Sequence, residues 1–366
     1  MRWRRSHSSL RQAVTVSSMR LGLFLLVGLL GVASMGCGDD GGGSALDAGV
    51  VDAASVDAQV DAQVSPDANA LPMSLRDTGL YSDFDGRVIA ADVSEYMPAY
   101  PLWSDGAVKR RWVYLPPDTT IDTSDMDFWS YPVGTKLWKE FKEGDTYLET
   151  RMMWKTGPLV SDWLYVAYAW NAAQDDAIET PDGALDVLGT GFDIPEQRDC
   201  RKCHERQPDF VLGFSAIQLA HTGAGVTLDT LITDQRLTVN PAGVSPYLPV
   251  PGTGTEQAVI GYLHGNCGGC HHKLSDVMDT DKLNLRLETT SIDTVANTTT
   301  YTTIVGVANL LSLANVTALI EPGAPAASAI YVRMNQRNVA SQMPPRGTEV
   351  IDTAAIDLLR AWILGL

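Results

Sequence analysis

Two short cysteine and histidine motifs constrain this chain more than any other feature of its sequence. The segments 200–204 and 267–271 each place two cysteines three residues apart, with a histidine directly after the second cysteine. This is the attachment pattern of a c-type haem, in which both thiols form thioethers and the histidine binds the iron. The sequence therefore predicts two covalently bound haems. Their attachment residues are Cys200, Cys203, Cys267 and Cys270, and their proximal iron ligands are His204 and His271.

Other uses of these cysteines fit the sequence less well. A zinc site built from the four thiols would leave both adjacent histidines unexplained. A redox dithiol would be expected as one C-x-x-C beside a βαβ pattern, and no such pattern is present. The chain has five cysteines, of which four lie in the two motifs and the fifth is Cys37. No cysteine is therefore left over for a structural disulfide.

Length and charge narrow the class of protein. The 366 residues and the 45% hydrophobic content suffice for two compact domains and a tail. The formal charge of −17 argues against a nucleic-acid partner and favours basic protein partners, although a generally solvated acidic surface explains it equally well. No phosphate-binding loop or serine-hydrolase motif is present.

The first 74 residues read as an export segment and a tether. Residues 1–36 combine an arginine-rich start with a short apolar run, as in a signal peptide. The stretch 34–37 resembles a lipobox ending at Cys37, with Ser34 where a leucine is usual, and a plain secretory peptide is the alternative. Residues 37–74, rich in Asp and Ala, predict a disordered tether. We expect an exported protein, periplasmic or associated with the outer membrane, with a lipid anchor at Cys37.

The rest of the chain predicts a multidomain fold, in which a β-rich antiparallel (α+β) domain is followed by an all-α domain like cytochrome c. Domain 75–250 carries the first motif and domain 251–366 the second. Strands are predicted over 109–115, 136–141, 147–154 and 163–170. Helices are predicted over 210–219, over 255–263, around 330–334 and from Asp352 or Thr353 onward, with an irregular connector over 222–254.

Sixth ligands decide whether the haem irons are closed or open. Met343, followed by two prolines that stiffen its loop, is the candidate for the second haem. Met334 is predicted to be a core residue, and Met278 follows the motif too closely to reach the opposite face. For the first haem no ligand is evident. His221, Met152 and Met153 are candidates, of which the two methionines point to opposite faces of one strand. His264 and His272 adjoin the second motif and are expected to tune the surroundings of its haem rather than to bind iron.

From about residue 75 to its end, the chain resembles a little-characterised family of exported bacterial dihaem c-type cytochromes. The resemblance lies in both haem motifs and in the segments 100–105, 111–117, 131–135, 148–151, 169–171 and 343–345. It implies haem binding and electron transfer with redox partner proteins of the cell envelope, and it implies no settled substrate. The predicted function is electron transfer through two haems.

A weaker resemblance concerns residues 112–219 and cytochromes that oxidise hydroxylamine. The segment 134–140, the first haem motif and Asp209-Phe210-Val211 carry it. In those cytochromes a lysine is crosslinked to the haem, which brings Lys136 and Lys139 into view. It keeps a second hypothesis open, a small-molecule oxidase or peroxidase at a five-coordinate first haem with the second haem as electron relay. A third hypothesis is a surface-anchored binding module whose haems report redox state.

Overall fold

The computed structural model describes residues 71–277, 283–310 and 313–366. The predicted signal peptide, most of the tether and Cys37 lie outside these residues, as does Met278. The described residues belong to one compact unit, Val64–Leu366. The predicted domain boundary at residue 250 remains a prediction.

An antiparallel sheet of six strands, in the order β3-β4-β5-β6-β7-β8, forms the framework of the first part. The four long strands predicted from the sequence are confirmed within one or two residues at each end, because their Trp, Tyr and Val content suits a half-buried pleated surface. β1 and β2 pair separately. The strands are β1 Tyr81–Asp83, β2 Val88–Ile89, β3 Ser94–Glu95, β4 Val108–Tyr114, β5 Lys136–Glu143, β6 Thr146–Lys155, β7 Trp163–Trp170 and β8 Ala177–Glu179.

The two faces of this sheet bury different cores, because successive side chains along a strand alternate between them. Trp112, Trp138 and Met152 lie on the face that packs against the segment of residues 75–93. Val113 and Leu137 lie on the opposite face, which we call the inner face, together with Tyr165 and the residues that follow the first haem motif. The inner face is therefore the one that positions the first motif.

Seven α-helices are present in the described ranges. They are α1 Gln197–His204, α2 Ala216–Leu219, α3 Leu228–Thr233, α4 Thr255–Asn266, α5 Thr299–Ile304, α6 Ala329–Met334 and α7 Thr353–Gly365. The helix predicted over 210–219 is wrong in its first half. Phe210 has φ of +61°, which an α-helix does not accommodate, so that helical structure begins only at Ala216. The predicted irregular connector contains α3, whose Leu228 and Leu231 pack into the core of the sheet.

The predicted all-α cytochrome domain at the C-terminus is wrong. The helices α4, α5, α6 and α7 cover less than half of residues 251–366. Between α5 and α6 the chain forms extended bridges, Val305 with Ile320, Ala308 with Ala318 and Ala318 with Ser328. Threonine and valine favour extended backbone, and Gly306 and Gly323 have positive φ, so this stretch does not sustain helix.

These four helices nevertheless build one core. Helix α4 contacts both α5 and α7, and α6 contacts α7. Asp352 caps the start of α7, where its side chain accepts a hydrogen bond from the backbone N–H of Ala355 at 3.0 Å. Tyr100, from the loop before β4, packs so closely on α4 that a Cβ at Gly261 would collide with its ring. The glycine thus lets the sheet region approach the helix that leads into the second motif.

Candidate functional site: two haem-attachment motifs in contact

The first motif ends helix α1, which packs against strand β7 of the sheet. Cys200 is half-buried against the core of the inner face, whereas Cys203 is exposed. His204 is half-buried, and its ring centroid lies 5.4 Å from that of Tyr165. The helical turn carries both thiols and the imidazole on adjoining positions, as the sequence predicted from their spacing.

A backbone carbonyl holds the ring of His204. Its Nδ1 lies 2.7 Å from the carbonyl oxygen of Phe210, and since a carbonyl only accepts, Nδ1 carries the proton. Nε2 then has a free lone pair and makes no hydrogen bond to any described residue. Burial lowers the pKa of His204 to about 4, which keeps the imidazole neutral. A neutral histidine whose second nitrogen is oriented by a carbonyl has the properties of an axial iron ligand.

The loop that supplies this carbonyl is anchored by Asp209, which the sequence analysis did not identify as a site residue. Its carboxylate accepts two hydrogen bonds of 2.8 Å from Nζ of Lys155 and one of 2.9 Å from Nε1 of Trp163. It also accepts the backbone N–H of Tyr131 at 2.6 Å. The pair with Lys155 is buried, at 2% and 6% side-chain exposure. The adjacent Phe210 is thereby held where His204 requires it.

The second motif directly follows helix α4, as predicted. Its backbone turns back so that the N–H groups of Cys270 and His271 both donate to the carbonyl of Cys267, at 3.0 and 2.9 Å. Burial lowers the pKa of His271 to about 4, and its Nδ1 is buried with no hydrogen-bond partner in the described structure. A Cβ at Gly268 would lie 2.6 Å from the carbonyl oxygen of His264, so this position requires glycine.

The two motifs lie close together. Gln207, three residues after His204, donates to the carbonyl of Gly269 within the second motif at 2.6 Å. Interaction between the thiols of Cys203 and Cys270 lowers the pKa of Cys203 and raises that of Cys270. This contact was not predicted from the sequence, because residues so far apart in the chain give no local signal of their proximity. The second cysteine of one motif is therefore close to the second cysteine of the other.

Residues that follow the first motif complete the connection. Gln207 is 4% exposed, donates to the carbonyl of Gly269 at 2.6 Å, and accepts from Nη1 of Arg286 at 3.0 Å. Nε2 of the fully buried His272 donates to the carbonyl of Arg206 at 2.9 Å. Arg206 also pairs with Asp276 on the surface. His272 therefore links the segment after the second motif to the segment after the first.

The loop carrying Met343 lies beside both motifs. The backbone N–H of Met343 donates to the carbonyl of Arg333 at 2.9 Å, and the charge of Arg333 lowers the pKa of His271. Three residues after Met343, the guanidinium of Arg346 lies 3.8 Å from the carboxylate of Asp199 in α1. The charge of Arg346 also lowers the pKa of Cys203. Met343 is half-buried, whereas Met334 is 7% exposed within the C-terminal core, as predicted. Ligation by Met343 stays a prediction.

The other histidines and methionines named above differ in their surroundings. Both ring nitrogens of His221 are engaged by backbone, with Met97 at 2.7 Å and Gly223 at 2.9 Å. His264 is buried and its Nδ1 accepts from Leu287 at 3.1 Å. Met152 belongs to the core behind the sheet, whereas Met153 lies on the inner face. Neither histidine is presented to the first motif.

The two lysines also point to different faces. Nζ of Lys136 donates to the carbonyl of Thr78 at 2.8 Å, behind the sheet. Lys139 lies on the inner face, where its charge acts on His204. Of the pair, Lys139 alone accompanies the first motif.

No trio of His, Cys, Asp or Glu arranged to hold a metal ion occurs among the described residues. The porphyrin of a haem supplies four nitrogen ligands to the iron, so the chain needs to supply only an axial ligand such as one histidine. The free thiols of both motifs and the oriented Nε2 of His204 fit covalently attached haems, whereas Nδ1 of His271 has no partner among the described residues to orient its ring. Across the described ranges, no helix combines the length and apolarity needed to span a bilayer.

Comparisons with known proteins give no relative for this chain. No protein-family model, no curated protein and no solved structure matches it.

Proposed function

We propose that this chain is a dihaem c-type cytochrome that passes single electrons between two covalently attached haems. Cys200 and Cys203 would attach the first haem and Cys267 and Cys270 the second, with His204 and His271 as axial ligands. The observation that carries the proposal is the hydrogen bond from Gln207, three residues after His204, to the carbonyl of Gly269 within the second motif, which supports two neighbouring attachment sites. A haem supplies a one-electron couple whose potential depends on its axial ligands and surroundings.

The residues of the chain account for holding and coupling. Asp209 and Phe210 orient His204, and Gln207 ties the segment after the first motif to the backbone of the second. An electron arriving at one site leaves from the other, so no proton or leaving group is required. The acidic composition suits basic redox partner proteins, and the N-terminal pattern suits a position in the cell envelope, anchored at Cys37.

The test is a count of haems in the chain produced with c-type haem maturation machinery. The pyridine haemochrome assay should give two haems per polypeptide, and these should resist extraction by acidified organic solvent. Replacing Cys267 and Cys270 together with serine should leave one haem, and the same change at Cys200 and Cys203 should leave the other. A colourless product from the unaltered chain would contradict the proposal, as would a haem that is removed by the solvent.

One observation favours a second candidate, a small-molecule redox enzyme at the first haem. His221 spends both ring nitrogens on backbone groups, so the histidine suggested as a sixth ligand for that haem is occupied. An iron with an open position would bind carbon monoxide when reduced. Binding at one haem of the reduced protein favours the enzyme, and no binding favours electron transfer alone.

A further inference from the structure

Three cationic side chains form a row across the inner face of the sheet. In the antiparallel ladders Arg111 of β4 lies opposite Lys139 of β5, and Lys139 lies opposite Arg151 of β6. Residues directly opposite in neighbouring strands project to the same face, with their Cβ atoms about 5 Å apart. Like charges in such positions repel one another, so the row is unfavourable unless anions accompany it.

The chain supplies one anion for the three cations. Arg151 pairs with the fully buried Glu149 through two hydrogen bonds of 2.6 and 2.7 Å. The guanidinium of Arg111 and the amino group of Lys139 have no ion pair or hydrogen bond to any part of the chain that the structure describes. Burial, with repulsion from Arg111 and Arg151, lowers the pKa of Lys139 well below 10.5. Two cations are thus left without a carboxylate.

This row lies beside the first haem motif. The charges of Lys139 and Arg151 both lower the pKa of His204. The charge of Arg151 also lowers the pKa of Cys203 and opposes the rise in the pKa of Cys200 that burial causes. Arg111 is 7% exposed, whereas Lys139 and Arg151 are half-buried, so solvent reaches part of the row. Cys200 of α1 packs against the core on this same inner face.

A haem carries two propionate carboxylates, and two cations of the row, Arg111 and Lys139, lack an anionic partner, although Nζ of Lys139 lies 4.6 Å from the ring centroid of Phe141. We propose that Arg111 and Lys139, with Arg151 beside them, bind the propionate carboxylates of the haem attached at Cys200 and Cys203. The proposal rests on the proposed function and goes beyond it by assigning a carboxylate site to the sheet. Covalent attachment holds the carboxylates near the row at a high effective concentration, which a free anion would lack.

The test uses the full dihaem protein with single substitutions. Arg111→Gln and Lys139→Gln each remove one charge, and Lys139→Arg keeps it. The matched control is Arg110→Gln on the same strand, because Arg110 points to the opposite face and pairs with Glu95 at 2.7 Å. The measurements are the midpoint potential of each haem by spectroelectrochemistry and the propionate bending bands by resonance Raman spectroscopy.

Arg111→Gln and Lys139→Gln should shift the propionate bands and lower the potential of the first haem, because a lost cation favours the oxidised iron. Lys139→Arg and Arg110→Gln should leave both close to those of the unaltered protein, and the second haem should not respond. Unchanged bands in the two charge-removing variants would overturn the assignment, even if the potential falls through the altered field alone. So would a shift in potential that depends on the buffer anion, since that assigns the row to a free anion. An unaltered chain with a single haem would instead overturn the proposed function itself.

Discussion

Nδ1 of His204 donates to the carbonyl oxygen of Phe210 across 2.7 Å, and the residue before Phe210 is the buried Asp209. The hydrogen bonds of the Asp209 carboxylate fix the backbone at Phe210, whose carbonyl in turn orients the imidazole of His204. Orientation of a ligating histidine by such an outer partner affects how it binds a metal. The relationship makes Asp209 a positioning residue for the first motif.

Asp209→Asn should therefore affect both stability and redox behaviour. Removing the charge leaves Lys155 buried without a partner, and loss of one member of a buried pair costs about 3–5 kcal/mol. We expect a lower urea midpoint and a changed potential of the first haem, with the second unchanged. The control is Glu196→Gln, which breaks the exposed pair with Arg198 and should cost no more than about 1 kcal/mol. Equal shifts in the potentials of both haems would show a general loss of structure and contradict the positioning role.

The contact between the motifs predicts unequal effects at two adjacent residues. Gln207→Ala leaves the buried guanidinium of Arg286 and the carbonyl of Gly269 without their partner, which costs about 1–3 kcal/mol. Arg206→Ala removes a pair whose aspartate side chain is 84% exposed and should cost less than about 1 kcal/mol. Thermal unfolding of the two variants tests this order. A larger loss for Arg206→Ala would mean that the surface pair, and not the buried amide, joins the motifs.

The glycines of the second motif predict a local packing effect. Gly268→Ala would place a methyl group 2.6 Å from the carbonyl of His264 and 2.9 Å from the Cα of Arg286, and backbone atoms yield little. Overpacking of this kind costs about 1–3 kcal/mol. We expect lower stability and less haem at the second motif by the haemochrome assay. Gly365→Ala, with open space around it at the end of α7, should change neither quantity, and a tolerated Gly268→Ala would contradict the close approach.

Glu140 predicts a pH dependence of stability. Its side chain is 1% exposed, Oε2 accepts from the hydroxyl of Tyr81 at 3.2 Å, and burial raises its pKa above 4.5. A folded-state pKa above the unfolded value means that protonation favours the fold, so this contribution is full below pH 4.5 and is lost as pH rises through the raised pKa. Glu140→Gln should raise the urea midpoint at pH 7 and have little effect at pH 4.

The control for that comparison is Glu143→Gln, at the exposed end of the same strand. It should leave the urea midpoint unchanged at both pH values. A Glu140→Gln variant that is less stable than the unaltered protein at pH 7 would show that the ionised carboxylate stabilises the fold, against the prediction.

Met343 predicts a spectroscopic effect at the second haem. Met343→Leu should remove any absorption band of a thioether bound to ferric iron and lower the potential of that haem, because thioether ligation raises it. Met334→Leu, a substitution within the C-terminal core, should alter neither the band nor the potential. An unchanged spectrum in Met343→Leu would exclude Met343 as the ligand.

The long strands were predictable because they are rich in residue types that favour strands. The Trp, Tyr and Val content of 109–115 and 163–170, bounded by turn residues, is typical of strands in a half-buried sheet. The helix over 210–219 was not, because Phe210 adopts positive φ and lends its carbonyl to His204, a tertiary demand that overrides local propensity. The prediction of an all-α C-terminal domain failed for a similar reason, since extended bridges join Val305 to Ile320, Ala308 to Ala318 and Ala318 to Ser328.

For the site, the sequence identified the thiols and histidines by spacing alone and missed the residues that position them. Asp209 and Lys155 are distant in the chain, and neither has a neighbour in sequence that marks it as buried. The segment Asp209-Phe210-Val211 was noticed only through a resemblance, without a role. The row formed by Arg111, Lys139 and Arg151 depends on strand register, which becomes visible only when the ladders are known.

The proximity of Cys203 and Cys270 has a consequence for any redox titration of the mature protein. Two haems attached at neighbouring cysteines interact electrostatically. Reduction of one iron therefore makes reduction of the other less favourable. The two steps of such a titration are then macroscopic properties of the pair rather than of either iron. Assigning each midpoint to one iron therefore requires a spectrum that distinguishes the two irons.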